Sequence, residues 1–397
     1  MTRGQRTRRH LVLASVLSTL PGVAYAQSDI ELAADVAGNI GYSTNPFTEI
    51  GDDTGSGVAD IQVRPRATLR GERSVIVLSG SAQYQKYFRR YNDAQNYLVA
   101  LDYSGTPSEH LTTHLGVTYD NSILGSNRGF VGPFDPTQPE IPPVIGSDLA
   151  LFGTRDRRST IGVNGDLNFV LSPRDTITPS AYFVRSRYRR FSQGNYDGYG
   201  GTLAYSRQVS ERLQLGLQGS ASKYDYQGLA GDSTVYSVRG TGSYTFSPRW
   251  KVNGAIGVSF IDEQTRGSRA TLSGNVNLCR LSELSNLCLS FIRSVVPSGF
   301  AGTLTQTSIG LNYSNRISER GTIFANAAYS KNDNNNPLLL FGGNEYISAT
   351  VGYERSINER LRMTANTRYR DVFGFGGNRG ADYGGQVGVT YKIGDAR

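Results

Sequence analysis

Histidine, cysteine and long apolar runs are what this sequence has least of. There are three histidines and two cysteines in 397 residues, and with only His110 and His114 beyond residue 26 a metal site beside the cysteines would need more ligands. The cysteines, Cys279 and Cys288, lack the C-x-x-C spacing of a redox catalyst. Acidic excess is absent as well: 41 Lys and Arg stand against 33 Asp and Glu, a formal charge of +8. Four of those arginines (Arg3, Arg6, Arg8 and Arg9) lie in the first ten residues without an acid, so the rest of the chain carries only +4. That is too weak for a nucleic-acid-binding face. Beyond the first 26 residues no apolar run approaches the ~20 residues of a spanning helix, and no helical 3.6-residue stripe of useful length occurs.

The first residues have a separate job. "MTRGQRTRRH" is a positive region, "LVLASVLSTL" an apolar one, and "AYA" at Ala24–Ala26 a small-x-small cleavage site. Together they predict a secretory signal peptide over 1–26, with the exported chain at 27–397. Between an exported Cys279 and Cys288, nine residues apart across a tight turn, one disulfide is expected.

What the chain has in abundance is a repeated turn. "RGERS", "TPSEH", "LSPRD", "VSERL", "FSPRW", "LSELS", "ISERG" and "INERL" recur about every 37 residues, with one step of 64. A fixed period denotes a repeated supersecondary unit. Both flanks of each turn alternate with period 2. In "STVYSVRGTGSYTF", Tyr236, Val238, Tyr244 and Phe246 share one parity, and Ser237, Arg239, Thr241 and Ser243 the other. The unit is strand, tight turn, strand, longer polar loop. A strand at 29–42, eight hairpins and a strand at 381–393 predict an all-β fold: an antiparallel up-and-down transmembrane barrel of 18 strands in the outer membrane. A propeller would need four strands per blade, and a sandwich uses shorter strands. Aromatics near strand ends, such as Tyr42, Tyr119, Tyr205 and Tyr391, fit an interfacial girdle.

Parity also assigns the lumen. A cation on the lipid face at mid-bilayer would cost roughly 2–4 kcal/mol, so the polar parity is expected inside. This places Arg64, Arg66, Arg158, Arg239, Arg368 and Arg370 along the pore, together with a ladder of Arg185, Arg187 and Arg189. Tyr182, Val184 and Tyr188 then face out. Fourteen inward cations against seven acids suit an anionic solute, because Arg grips carboxylates bidentately. The alternative is that individual arginines brace the barrel on lumen acids. The long step marks a third external loop at 124–156, rich in proline, with Asp135, Glu140 and Asp148 as candidates for an in-folded constriction; an external cap is the other option. His110 and His114 offer the only histidines for a catalytic set, and none stands out, so no enzyme activity, metal or cofactor is expected.

"DVAGNIGYSTNPF" (35–47), the "SER/SPR" turns and "LCLSFIRSVVPSGFAG" (287–302) resemble the beta-barrel porin 2 group of outer-membrane proteins. The resemblance covers essentially the whole exported chain. One departure is the end, "YKIGDAR", where Tyr391 and Ile393 stop short of the terminus. The resemblance implies export of an exopolysaccharide strand, delivered by a periplasmic polysaccharide-export protein. The alternative is a general or substrate-selective diffusion porin for small anions or sugars.

Overall fold

The computed structural model describes residues 29–51, 53–126, 147–228, 231–300, 302–333, 344–374 and 379–394. The expected signal peptide at 1–26 lies outside them. Eighteen strands follow in order: β1 Asp29–Ser43, β2 Ser56–Arg70, β3 Ser74–Tyr87, β4 Ala94–Ser108, β5 Leu111–Ile123, β6 Arg157–Ser172, β7 Asp175–Tyr188, β8 Tyr196–Ser210 and β9 Leu213–Tyr226. The second half is β10 Ser233–Ser247, β11 Trp250–Glu263, β12 Gly267–Leu281, β13 Ser285–Ser298, β14 Gly302–Ser318, β15 Gly321–Asp333, β16 Glu345–Ser356, β17 Leu361–Phe373 and β18 Asp382–Ile393. Each pairs antiparallel with its sequence neighbours, and β1 pairs with both β2 and β18. The sheet is therefore a closed barrel with no free edge.

Closure turns the usual burial pattern inside out. On β12, Leu272 is 69% exposed on the outer face while its neighbour Ser273 is 3% exposed on the inner one. Ile256, Leu203, Val238 and Val387 stand outward in the same way, as do the aromatics Tyr42, Tyr383 and Tyr391. The inner wall is hydroxyl and amide. Ser237, Ser259 and Ser273 form a chain of hydrogen bonds, each 2.7 Å, across β10, β11 and β12. Gln83 accepts from Asn96 at 3.0 Å, and Asn332 from Gln306 at 3.0 Å. An apolar belt around a polar interior is what lipid outside and water inside require. This is an outer-membrane β-barrel, with the tight turns at one end and the long loops at the other, outer end.

The repeated turn residues sit where the sequence places them. Ser172 Oγ accepts from the backbone N–H groups of Arg174 and Asp175, and Asn358 Oδ1 from those of Arg360 and Leu361. Such side-chain caps satisfy donors that a tight turn leaves free. Cys279 and Cys288 lie opposite one another on β12 and β13 and are bonded. Closing so short a loop removes only ~2–3 kcal/mol of chain entropy from the unfolded state. Replacing both cysteines with serine should therefore leave insertion intact and lower the midpoint of the heat-induced gel-mobility shift slightly. A double variant that fails to insert would contradict this.

Candidate functional site

The turn end of the lumen carries a basic patch. Asp35 on β1 pairs in register with Arg64 on β2 and with Lys392 on β18. Its carboxylate lies 4.0 Å from Arg64 and 3.7 Å from Arg362, and Arg362 also reaches Glu354 at 3.6 Å. Arg70 meets Glu31 at 3.5 Å. Arg66, on the same inward parity, is exposed to the lumen. Arg239 stands on β10, across the ring of eighteen from β1. These groups are partly solvated, so their charge projects into the water-filled interior.

The outer mouth is built differently: two segments fold across it. The first is the end of the long loop that leads into β6. From the β5–β6 side of the ring, residues 147–152 cross to strands about half the circumference away. Ser147 O accepts from Asn332 Nδ2 of β15 at 2.9 Å, and Leu149 packs among Tyr346 of β16 and Val372 of β17. The Phe152 ring meets Tyr346 edge-on at 5.8 Å. Arg379 donates to the carbonyls of Phe152 at 2.6 Å and Ala150 at 3.4 Å, and burial pulls its pKa down.

The second segment is the tip of the β13–β14 hairpin. Pairing of β12 with β13 stops at Gly274↔Arg293, whereas β13 and β14 stay paired to Ser298↔Gly302. Past Arg293 the hairpin leaves the wall and bends inward. Arg266 and Arg269 donate to Thr303 O at 3.1 and 3.2 Å, and Thr303 Oγ1 bonds Ser233 Oγ on β10. Phe300 packs on Phe191 at 5.4 Å. Gly299 lies so close to the Tyr188 ring that a Cβ there would overlap it.

Asp148 joins the two. Its Oδ1 accepts from Ser298 Oγ at 3.1 Å and Gly299 N at 2.8 Å. Its Oδ2 accepts from Arg158 at 3.0 Å and from the Tyr188 hydroxyl at 2.6 Å. At 1% exposure this is a buried carboxylate with four donors, one of them a cation, the arrangement that makes burial tolerable. Around it a hydrophobic cluster of Leu124, Leu151, Tyr188, Tyr196, Tyr224, Val235 and Ile261 fills one side of the mouth.

Asp382 makes a matching joint. It accepts from Arg370 at 2.7 Å, Arg368 at 3.3 Å and Asn45 N at 3.1 Å, and also from Ser43 Oγ. Arg370 passes the tie onward to Pro46 O at 2.9 Å and Gly125 O at 3.1 Å. It thus clamps the β1–β2 loop to the start of the long loop. In that loop Phe47 nests between Tyr87 and Tyr91, at 5.3 and 5.1 Å. Burial, with Glu49 nearby, pushes the Tyr91 hydroxyl up to about 12, so it stays a donor to Thr54 O at 2.7 Å.

Several expectations change here. Arg185 and Arg187 are not in the lumen. Arg185 pairs in register with Ile161, which is exposed on the outer face, and Arg187 with Ser159 beside it. Arg189, whose N–H bonds Arg157 O, continues that outward row past the end of β7. The inward parity of β7 belongs instead to Tyr182, Val184, Ser186 and Tyr188. The lipid penalty that argued for inward arginines falls to roughly 0–1 kcal/mol near the interface, and these residues lie at the outer end of the strand. Arg158, Arg368 and Arg370 do face inward, but they are tied to Asp148 and Asp382 rather than presented to a solute. Asp148 does belong to an in-folded segment. Asp135 and Glu140 lie outside the described residues.

Asp382, Arg379 and the hairpin tip were missed by sequence reasoning. The tip had a signal: "VVPSGF" (295–300) is a short apolar stretch in an external loop. His114 lines β5 opposite Asp166. Among the described residues no group of three or more His, Cys, Asp or Glu could hold a metal ion.

Replacing Asp148 with alanine removes the acceptor shared by four donors and strands Arg158 as a buried charge, a loss of about 3–5 kcal/mol for such a pair. The barrel should still insert, because its wall pairing is untouched. Single-channel recordings in planar bilayers should show larger and more frequent open steps than the unaltered protein. Unchanged conductance would contradict the joint.

No family model matches the sequence, and no curated protein matches it. Among solved structures, OprD of Pseudomonas aeruginosa is similar at 9% identity and a TM-score of 0.44, over 93% of this chain and 96% of that one. OpdK of the same organism, solved with vanillate, gives 10% and 0.44 over 92% and 99%. The FrpB iron transporter of Neisseria meningitidis gives 10% and 0.49 over 91% and 81%. At these values the likeness is one of general barrel form and carries no argument about what crosses the lumen.

Proposed function

We propose that this chain is an outer-membrane channel for small polar solutes, with a preference for anions or sugars bearing anionic groups. One observation carries the reading. A wet, hydroxyl-rich lumen with Arg64, Arg66, Arg70 and Arg362 at its turn end lies beneath a mouth crossed by residues 147–152 and the β13–β14 tip. A small solute needs only a gap beside those segments. A polysaccharide strand, which the family resemblance implies, needs a wider opening past the same segments. The export reading and its periplasmic delivery partner are for that reason the second choice.

Reversal potential across a planar bilayer under a salt gradient tests the preference. The unaltered protein should favour chloride over potassium at 0.1 M salt, and the bias should shrink at 1 M, where the screening length falls from about 10 Å to about 3 Å. Replacing Arg64, Arg66 and Arg239 together with serine should move the potential toward cations. Replacing Arg185 and Arg187 should leave it unchanged, since they stand outside the wall. A cation-selective unaltered channel, or a triple variant with the same potential, would overturn the proposal.

A further inference from the structure

The outer rim of β6 to β9 carries surplus positive charge on the face that meets lipid. Arg157, Arg185, Arg187 and Lys223 share the outward parity, and Arg189 extends the row beyond β7. The same rows hold two acids. Arg185 binds Asp197 through Nε and Nη2 at 3.0 Å each, and Arg187 reaches that carboxylate at 2.7 Å. Lys223 meets Asp225 at 2.8 Å. Five cations thus share two carboxylates. On the outer face of β13 to β16 the pairs match one to one, Arg293 with Asp333 and Lys331 with Glu345, both at 3.0 Å. The row is stacked on the apolar belt: the Arg185 guanidinium lies 5.5 Å from the Phe183 ring centre and the Lys223 ammonium 6.0 Å from that of Tyr199.

We propose that this row binds the phosphorylated headgroup of an outer-leaflet glycolipid. The barrel wall separates these side chains from the lumen, so a transported solute is not their partner. What stands against an outer face just beyond its aromatic belt is lipid headgroup. Planar guanidinium forks match phosphate oxygens bidentately, and Arg sheds water more readily than Lys at such an interface. A phosphate dianion offsets the local surplus, which salt alone would only screen. The inference rests on the membrane location of the barrel and is independent of what the channel carries.

Detergent-purified full-length protein, titrated with diphosphoryl lipid A, with dephosphorylated lipid A and with inorganic phosphate, tests this by native mass spectrometry. Diphosphoryl lipid should be retained, and its dephosphorylated form at least about tenfold more weakly. Inorganic phosphate at the same concentration should not displace it. The triple variant Arg157→Ser, Arg187→Ser and Arg189→Ser should bind the diphosphoryl lipid about tenfold more weakly, while Arg293→Ser with Lys331→Ser binds as the unaltered protein does. Should the triple fail to insert, Arg187→Ser alone is read for the same loss. Equal retention of both lipids, or binding unmoved by the row variants, overturns the proposal. Displacement by inorganic phosphate would assign the row to the free ion and overturn it too.

Discussion

Everything in this molecule follows from the requirement that no backbone donor or acceptor be left open in lipid. Each unpaired group would cost several kcal/mol there. A sheet meets that requirement only by bonding its last strand to its first, and β1 does so over ten residues with β18 and fifteen with β2. Once the ring is closed, every strand has one face toward lipid and one toward the interior. The alternation of Tyr236, Val238 and Phe246 against Ser237, Arg239 and Ser243 is the sequence form of that division.

Closure fixes the wall but leaves the outer mouth open, and the mouth is closed by a different physics. Water-excluding packing around Tyr188, Tyr224 and Ile261 is combined with carboxylates placed where chain segments meet. Asp148 and Asp382 are each engaged by arginine and by backbone N–H groups. Asp156 at the base of the long loop is held by backbone donors, accepting from the N–H groups of Arg157, Arg190 and Phe191. Leaving any of these acids out would strand donors rather than open a harmless hole, because an unpaired buried charge costs more than the pair contributes. The lumen beneath holds looser pairs, Asp35 with Arg64 and Arg362 and Glu31 with Arg70, and these side chains stay partly solvated.

The wall was legible because its rule is local. Period 2, an even strand count and the repeated Ser-Glu-Arg turn each act over a few residues, and the strand limits at 29 and 393 agree with the structure to within a residue or so. Cys279 and Cys288 were legible for the same reason. The mouth was not, because its contacts join residues about 150 to 250 positions apart, as in Asp148 with Gly299 and Arg370 with Gly125. The parity of β7 failed for an instructive reason. Tyr182 and Tyr188 read as outward-facing and Arg187 as a lumen cation, yet near the rim the lipid penalty no longer chooses between faces. Packing against the in-folded segments chooses instead.

The central claim is that residues 147–152 and the β13–β14 tip meet over the lumen. It is tested most directly by Ser147→Cys with Ser298→Cys in a background where Cys279 and Cys288 are serine. A short bifunctional thiol reagent applied to the membrane-embedded protein should give an intramolecular cross-link in nearly every molecule, read as a peptide pair by mass spectrometry. A yield no higher than that of a control pair on opposite sides of the rim would mean that the segments do not meet, and the account of the mouth would be wrong.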